Sequence, residues 1–164
     1  MSAERTKRLL TLFYLFDTCQ EVSWREIGDW TQVNPRTIKR DLAFLRQAGL
    51  IRTKYDQTIK GYQSLPARDV SAQFPESKAQ RRYMERIIRI AHLIDMMQCS
   101  EDEDLIAFYR EYYPNVSDRT RQRDFNLLRE TGFIIYYTPA EYEDPGHWSY
   151  ECLGIEGPYH QKNI

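Results

Sequence analysis

Asn34–Ile51, NPRTIKRDLAFLRQAGLI, reads as one complete helix with both ends marked, followed by the start of a strand. Asn34 is a capping residue type whose side-chain oxygen can accept a backbone N–H of the first turn. Pro35 fits the first helical position, where its missing N–H costs nothing, and Gly49 can take the left-handed conformation that closes a helix. The helix is therefore expected from Pro35 to Ala48. Ile38, Leu42 and Leu45 recur at i, i+4 and i+7, an apolar face toward a core, with Phe44 beside it. Arg36, Thr37, Lys39, Arg40 and Ala43 fall outside that face. Cations and a hydroxyl thus crowd the N-terminal half, the part that enters the major groove when such a helix is the second of a helix-turn-helix.

The stretch recurs. Val116–Ile134, VSDRTRQRDFNLLRETGFI, repeats it at a constant offset, 119 − 36 = 83. Arg36, Thr37, Arg40, Asp41, Leu45, Arg46, Gly49 and Ile51 match Arg119, Thr120, Arg123, Asp124, Leu128, Arg129, Gly132 and Ile134. A period this long is a whole small domain, since solenoid units are shorter. The chain is expected to be a tandem of two domains: residues 1–66, a connector at 67–77, and residues 78–164.

The 164 residues and a formal net charge of −1 suit two small domains and argue against a protein that simply coats nucleic acid. The charge is uneven: residues 1–68 hold twelve Lys and Arg against seven Asp and Glu, net +5, leaving net −6 for the remainder. Three cysteines, Cys19, Cys99 and Cys152, show no paired spacing, which points to a reducing cytoplasm over a disulfide framework. No uncharged run is long enough to span a bilayer.

Upstream, Leu9, Leu12, Phe13 and Phe16 stand at helical spacing within Ala3–Asp17, and Leu10, Tyr14 and Leu15 widen the apolar surface. That breadth fits a core helix covered on several sides, or one whose Leu10 and Tyr14 also meet a second protomer. Ser23-Trp24-Arg25-Glu26 is a capping box opening a second helix with Ile27 and Trp30, before the turn Thr31-Gln32-Val33. After Gly49, Leu50–Lys54 and Gly61–Leu65 flank the polar tip Tyr55–Lys60 and are expected to pair as a hairpin wing. Arg36, Lys39 and Arg40 of the helix and Arg52, Lys54 and Lys60 of the wing are expected to converge on one face, the wing cations meeting phosphates.

Val33-Asn34-Pro35-Arg36-Thr37-Ile38-Lys39-Arg40-Asp41-Leu42, then Leu45, Ala48-Gly49-Leu50-Ile51 and Gly61-Tyr62, resemble the DeoR-type winged helix-turn-helix of bacterial repressors, also found at the N-terminus of WYL-domain regulators. The resemblance covers about residues 4–65. Thr31, where the family usually has Leu, and Trp30, where it is usually polar, depart from the pattern. The resemblance implies a mainly α fold with small β-hairpin wings, double-stranded DNA as partner, and a bacterial or phage-encoded, nucleoid-associated protein of the cytoplasm. The DNA-contacting set it implies in the first domain is Asn34, Arg36, Thr37, Lys39, Arg40, Arg52, Lys54 and Lys60.

In the second domain, Tyr83, Ile87, Ile90, Ile94 and Met97 form a seam in a helix over Lys78–Met97, long enough to suggest a homodimer contact. An acidic loop, Glu101-Asp102-Glu103-Asp104, precedes an aromatic helix from about Asp104 to Tyr113, which Pro114 ends. Ser117 then caps the second copy of the basic helix. There Arg121 replaces Ile38 and Gln122 replaces Lys39, and the second wing tip, Pro139–Gly146, carries Glu141, Glu143 and Asp144. Arg119, Thr120, Arg121 and Arg123 are candidate further DNA contacts, although the acidic wing opposes them.

No phosphate-binding loop, catalytic carboxylate pair or nucleophile motif is present, so an enzyme is not expected. His147, Cys152 and His160 match no zinc spacing, and neither metal nor cofactor is expected. The reading is a sequence-specific transcription regulator, a repressor, docking its first domain on an operator. Two alternatives stay open: a plasmid or phage replication initiator of tandem winged-helix type, and a condensin-associated type of tandem winged-helix interaction subunit. The basic first helix counts against the last.

Overall fold

The computed structural model describes residues 2–66, 70–99, 105–138 and 147–150. The chain is mainly helical with a small three-stranded antiparallel sheet. It divides into two compact units, Met1–His92 and Leu93–Ile164. Among the described residues, no helix is long and apolar enough to cross a membrane.

The first unit opens with α1 (Ala3–Thr18), capped by the Ser2 side chain, which accepts the Arg5 N–H. Leu9, Leu10, Leu12, Phe13, Tyr14, Leu15 and Phe16 of α1 are all buried. Burying so many side chains of one helix on several sides needs neighbours all around it, and the following elements supply them. Leu10 and Tyr14 are among the most deeply buried, at 0% and 1% exposure, so the dimer contact considered for them has no surface to use.

A three-residue strand, β1 (Glu21–Ser23), follows and places Val22 in the core. Ser23 and Glu26 then form the expected capping box at the start of α2 (Trp24–Thr31). Trp30 is buried with its ring 6.2 Å from that of Tyr14, so it fills core space. Gln32, in the left-handed conformation, ends α2, and Asn34 begins α3 (Pro35–Gln47).

β2 (Arg52–Asp56) and β3 (Gly61–Leu65) pair antiparallel, and β1 adds to the far side of β3, giving the order β1-β3-β2. Gly61 pairs with Ser23, and a Cβ at position 61 would meet the Val22 carbonyl oxygen at 2.2 Å. A side chain there would push β1 off the sheet. β1 was not legible in the sequence, because a three-residue strand carries too little alternation to stand out from a loop.

α4 (Lys78–Cys99) spans the position where the two units divide, some way beyond the 67–77 connector read from the sequence. Its N-terminal half belongs to the first unit because it is held there. The Tyr83 ring lies 5.7 Å from that of Phe44, and its hydroxyl is 3.1 Å from the Thr6 hydroxyl. The described part of the connector is docked too: the Gln73 N–H donates to the Gln47 carbonyl at 2.8 Å, and Gln47 Nε2 donates to the Gln73 carbonyl at 3.0 Å.

The expected dimer seam is corrected by the burial of its own residues. Ile87, Ile90, Ile94 and Met97 are covered within a single protomer, at 0–2% exposure. A seam already covered offers no apolar stripe to a second copy.

The second unit contains α5 (Leu105–Tyr112), α6 (Asp118–Thr131), β4 (Ile135–Thr138) and β5 (His147–Tyr150), the last two paired antiparallel. Its core includes Tyr109, Phe125 and Leu128. The acidic loop Glu101–Asp104, the second wing tip Pro139–Gly146 with Glu141, Glu143 and Asp144, Cys152, His160 and the tail from Gly154 lie outside the described residues.

Candidate nucleic-acid interface

The basic helix is built as its sequence requires. Asn34 Oδ1 accepts the Thr37 N–H at 3.0 Å, which commits the Asn34 side chain to the cap, and Pro35 occupies the first turn. Gly49 sits at φ 71°, and a Cβ there would also stand 2.6 Å from the Val70 carbonyl oxygen, so both conformation and space call for glycine. Ile38, Leu42 and Leu45 are buried, while Arg36, Lys39 and Arg40 are exposed and Thr37 is half-buried.

Asp41, the lone carboxylate of α3, is turned away from that exposed face. It is 2% exposed, and its two oxygens accept from Arg5 Nε at 3.1 Å and Arg8 Nε at 2.5 Å, both on α1. Two consequences follow. The contact fixes the rotation of α3 against α1, and it removes the acid of the helix from the surface that holds Arg36, Lys39 and Arg40. Among the described residues, Arg36 and Arg40 have no ion-pair partner, so their charge faces solvent unopposed. Lys39 differs, with its ammonium 5.9 Å from the centre of the Trp24 ring, a cation–π contact with the start of α2.

The hairpin is anchored to α3 by a residue outside the set expected from the sequence. Arg46 donates from Nε and Nη2 to Thr53 Oγ1, and its guanidinium lies 5.4 Å from the Tyr62 ring centre. Tyr62 also meets Trp24, Phe16 and Tyr55 in edge-on contacts at 5.6, 6.3 and 5.4 Å. The pairing of Arg46 with Arg129 in the repeat was the one signal in the sequence for this position, and it carried no indication of the partner.

No family model, curated protein or solved structure matches the chain. The interface therefore rests on its own geometry.

That geometry divides the cations expected to converge. Thr53 meets α3, and successive side chains of a strand point to opposite faces. Arg52 and Lys54 therefore stand on the outer face of the hairpin, exposed, away from the Thr53 and Tyr55 face. Lys60 is exposed at the end of the tip with φ 49°, and its carbonyl accepts the Trp24 N–H at 3.0 Å, tying the tip to α2. The hairpin thus offers cations on its back and tip, while its front offers aromatic surface, with Tyr55 44% exposed.

α6 reproduces the frame and not the surface. Ser117 caps it by accepting the Thr120 N–H, Gly132 closes it at φ 114°, and Asp124 is buried like Asp41. The bond to Asp124 seen here comes from the Tyr109 hydroxyl of α5. Arg119 and Arg123 are exposed and Thr120 is half-buried. Arg121, at the place of the buried Ile38, is bonded to Asp118 with its side chain 12% exposed, so its charge is matched locally and does not project.

Proposed function

We propose that this protein is a sequence-specific regulator of transcription that binds double-stranded DNA, acting as a repressor. In this reading the first unit is a winged helix-turn-helix with α3 in the major groove and the β2–β3 hairpin as its wing. The order α1-β1-α2-α3-β2-β3 and the DeoR-like motif support that assignment. The carrying observation is the burial of Asp41 between Arg5 and Arg8, which leaves the outward face of α3 cationic beside a hairpin that Arg46 holds in place. Charges arranged in this way suit phosphates and guanine edges, and Arg36 and Arg40 are the proposed base readers. Arg119 and Arg123 of α6 are secondary contacts.

Selection of random duplex fragments by the full chain, followed by footprinting of the enriched sequence, tests the reading. A single defined site is expected, and Arg36→Ala or Arg40→Ala should each weaken binding by about 1–3 kcal/mol. Arg119→Ala with Arg123→Ala should cost less than the α3 pair together. Failure to enrich any duplex at low salt would end the proposal, and directly repeated sites would favour an initiator of replication.

A further inference from the structure

The division of the chain assigns five more cations to the first unit than the connector boundary would suggest: Lys78, Arg81, Arg82, Arg86 and Arg89, all on α4. Residues 1–92 then hold seventeen Lys and Arg against ten Asp and Glu, net +7, and residues 93–164 hold six against fourteen, net −8. These five cations are not scattered around the helix. At about 100° per residue they fall within an arc of roughly 140°, opposite the buried Met84, Ile87, Ile90 and Ala91. Lys78, Arg81 and Arg82 are exposed, and Arg86 and Arg89 continue the arc half-buried, engaged in contacts of their own. Glu85, also exposed, is the carboxylate within it.

The position of this face relative to α3 gives it meaning. Arg46 and Phe44 are two residues apart on α3 and so point about 200° apart around its axis. Arg46 reaches the hairpin, while the Phe44 ring lies against Tyr83 of α4. The hairpin and the N-terminal half of α4 therefore stand on opposite flanks of α3, with Arg36, Arg40 and Ala43 exposed between them. The docking of Gln73 on Gln47 brings the chain to the start of α4 on that side, and Arg81 is steadied 5.8 Å over the Phe74 ring.

We propose that Lys78, Arg81 and Arg82 form a second phosphate-binding flank, gripping the nucleic-acid backbone on the side of α3 away from the hairpin. A helix seated in a major groove has a phosphate strand on either side, and a basic surface on each flank neutralises both. The flank adds affinity and orientation but reads no bases. It rests on the DNA-binding reading above.

The test uses the full chain, the selected duplex and a mixed-sequence duplex of the same length, each titrated over a range of NaCl concentrations. The variant Lys78→Gln/Arg81→Gln/Arg82→Gln should lower the slope of log affinity against log salt by about 2–3, at about 0.9 for each phosphate no longer neutralised. Its preference for the selected over the mixed duplex should stay as in the wild type, whereas Arg40→Ala should reduce that preference. Arg82→Gln alone, should the triple variant melt, is expected to lose about 0.9 of slope, and Arg82→Lys to keep it. An unchanged slope in these variants, with binding lost on Arg36→Ala/Arg40→Ala, would overturn the flank and leave the DNA-binding reading standing. A wild type that binds neither duplex overturns both. Wild-type binding to phosphatidylserine vesicles in place of duplex, abolished in the triple variant, would reassign the face to a membrane surface.

Discussion

Arg46 and Thr53 join the last turn of α3 to the first half of β2: Nε donates to the Thr53 hydroxyl oxygen at 3.0 Å and Nη2 at 2.7 Å. One guanidinium thus sets how far the hairpin stands from the helix it flanks, and the same group packs over Tyr62. A forked, planar cation can donate twice and stack at once, which a lysine ammonium cannot.

Replacing Arg46 by Ala should therefore free the hairpin while α3 stays folded. Hydrogen exchange at the β2 and β3 amides is expected to accelerate about tenfold, for a local loss near 1–2 kcal/mol. Arg46→Lys should fall between Arg46→Ala and the wild type. Exchange unchanged in Arg46→Ala would show that the strand pairing alone holds the hairpin in place.

The Asp41 bonds to Arg5 and Arg8 predict a stability effect separate from DNA contact. Asp41→Asn keeps the shape and loses the charge, so both charge-assisted bonds weaken at a site only 2% exposed. Urea unfolding should show a loss of about 2–3 kcal/mol, moderated because Arg5 and Arg8 can turn to water. A loss below about 0.5 kcal/mol, the level of an ordinary surface change, would mean that α3 is oriented by its apolar face alone.

Ile90 separates a core from a dimer seam. At 0% exposure within one protomer, Ile90→Glu should bury a carboxylate and cost more than about 3 kcal/mol, with loss of helical circular dichroism. Ile90→Val, which folds, should cost about 0.5–1.5 kcal/mol. Light scattering should give that variant the wild-type mass. A folded Ile90 variant of lower mass than the wild type would restore α4 as a contact between copies.

The local grammar of the first unit was legible because it rests on neighbours in the chain. The Asn34 cap, Pro35, the left-handed Gly49, the Ser23–Glu26 capping box and the β2–β3 pair all depend on backbone groups a few residues away. The repeat also transferred: α6 has its own Ser117 cap and left-handed Gly132. Asp41 and Asp124 match in the repeat and both are buried: Asp41 accepts from two arginines of α1, and Asp124 accepts from a tyrosine of α5.

What only the tertiary structure decided were contacts between residues far apart in sequence. An apolar period in α4 fits a domain core and a dimer seam equally well, and only its cover shows which it is. The strand face of Arg52 and Lys54 depended on Thr53 meeting Arg46, and the allegiance of the N-terminal half of α4 on Tyr83 meeting Phe44 and Thr6. A sequence determines which groups can cap, turn or alternate, because those choices are made within a few bonds. Which of its charges are spent on the fold and which are left for a partner is settled by packing, where Asp41 went inward and Arg36 and Arg40 stayed out.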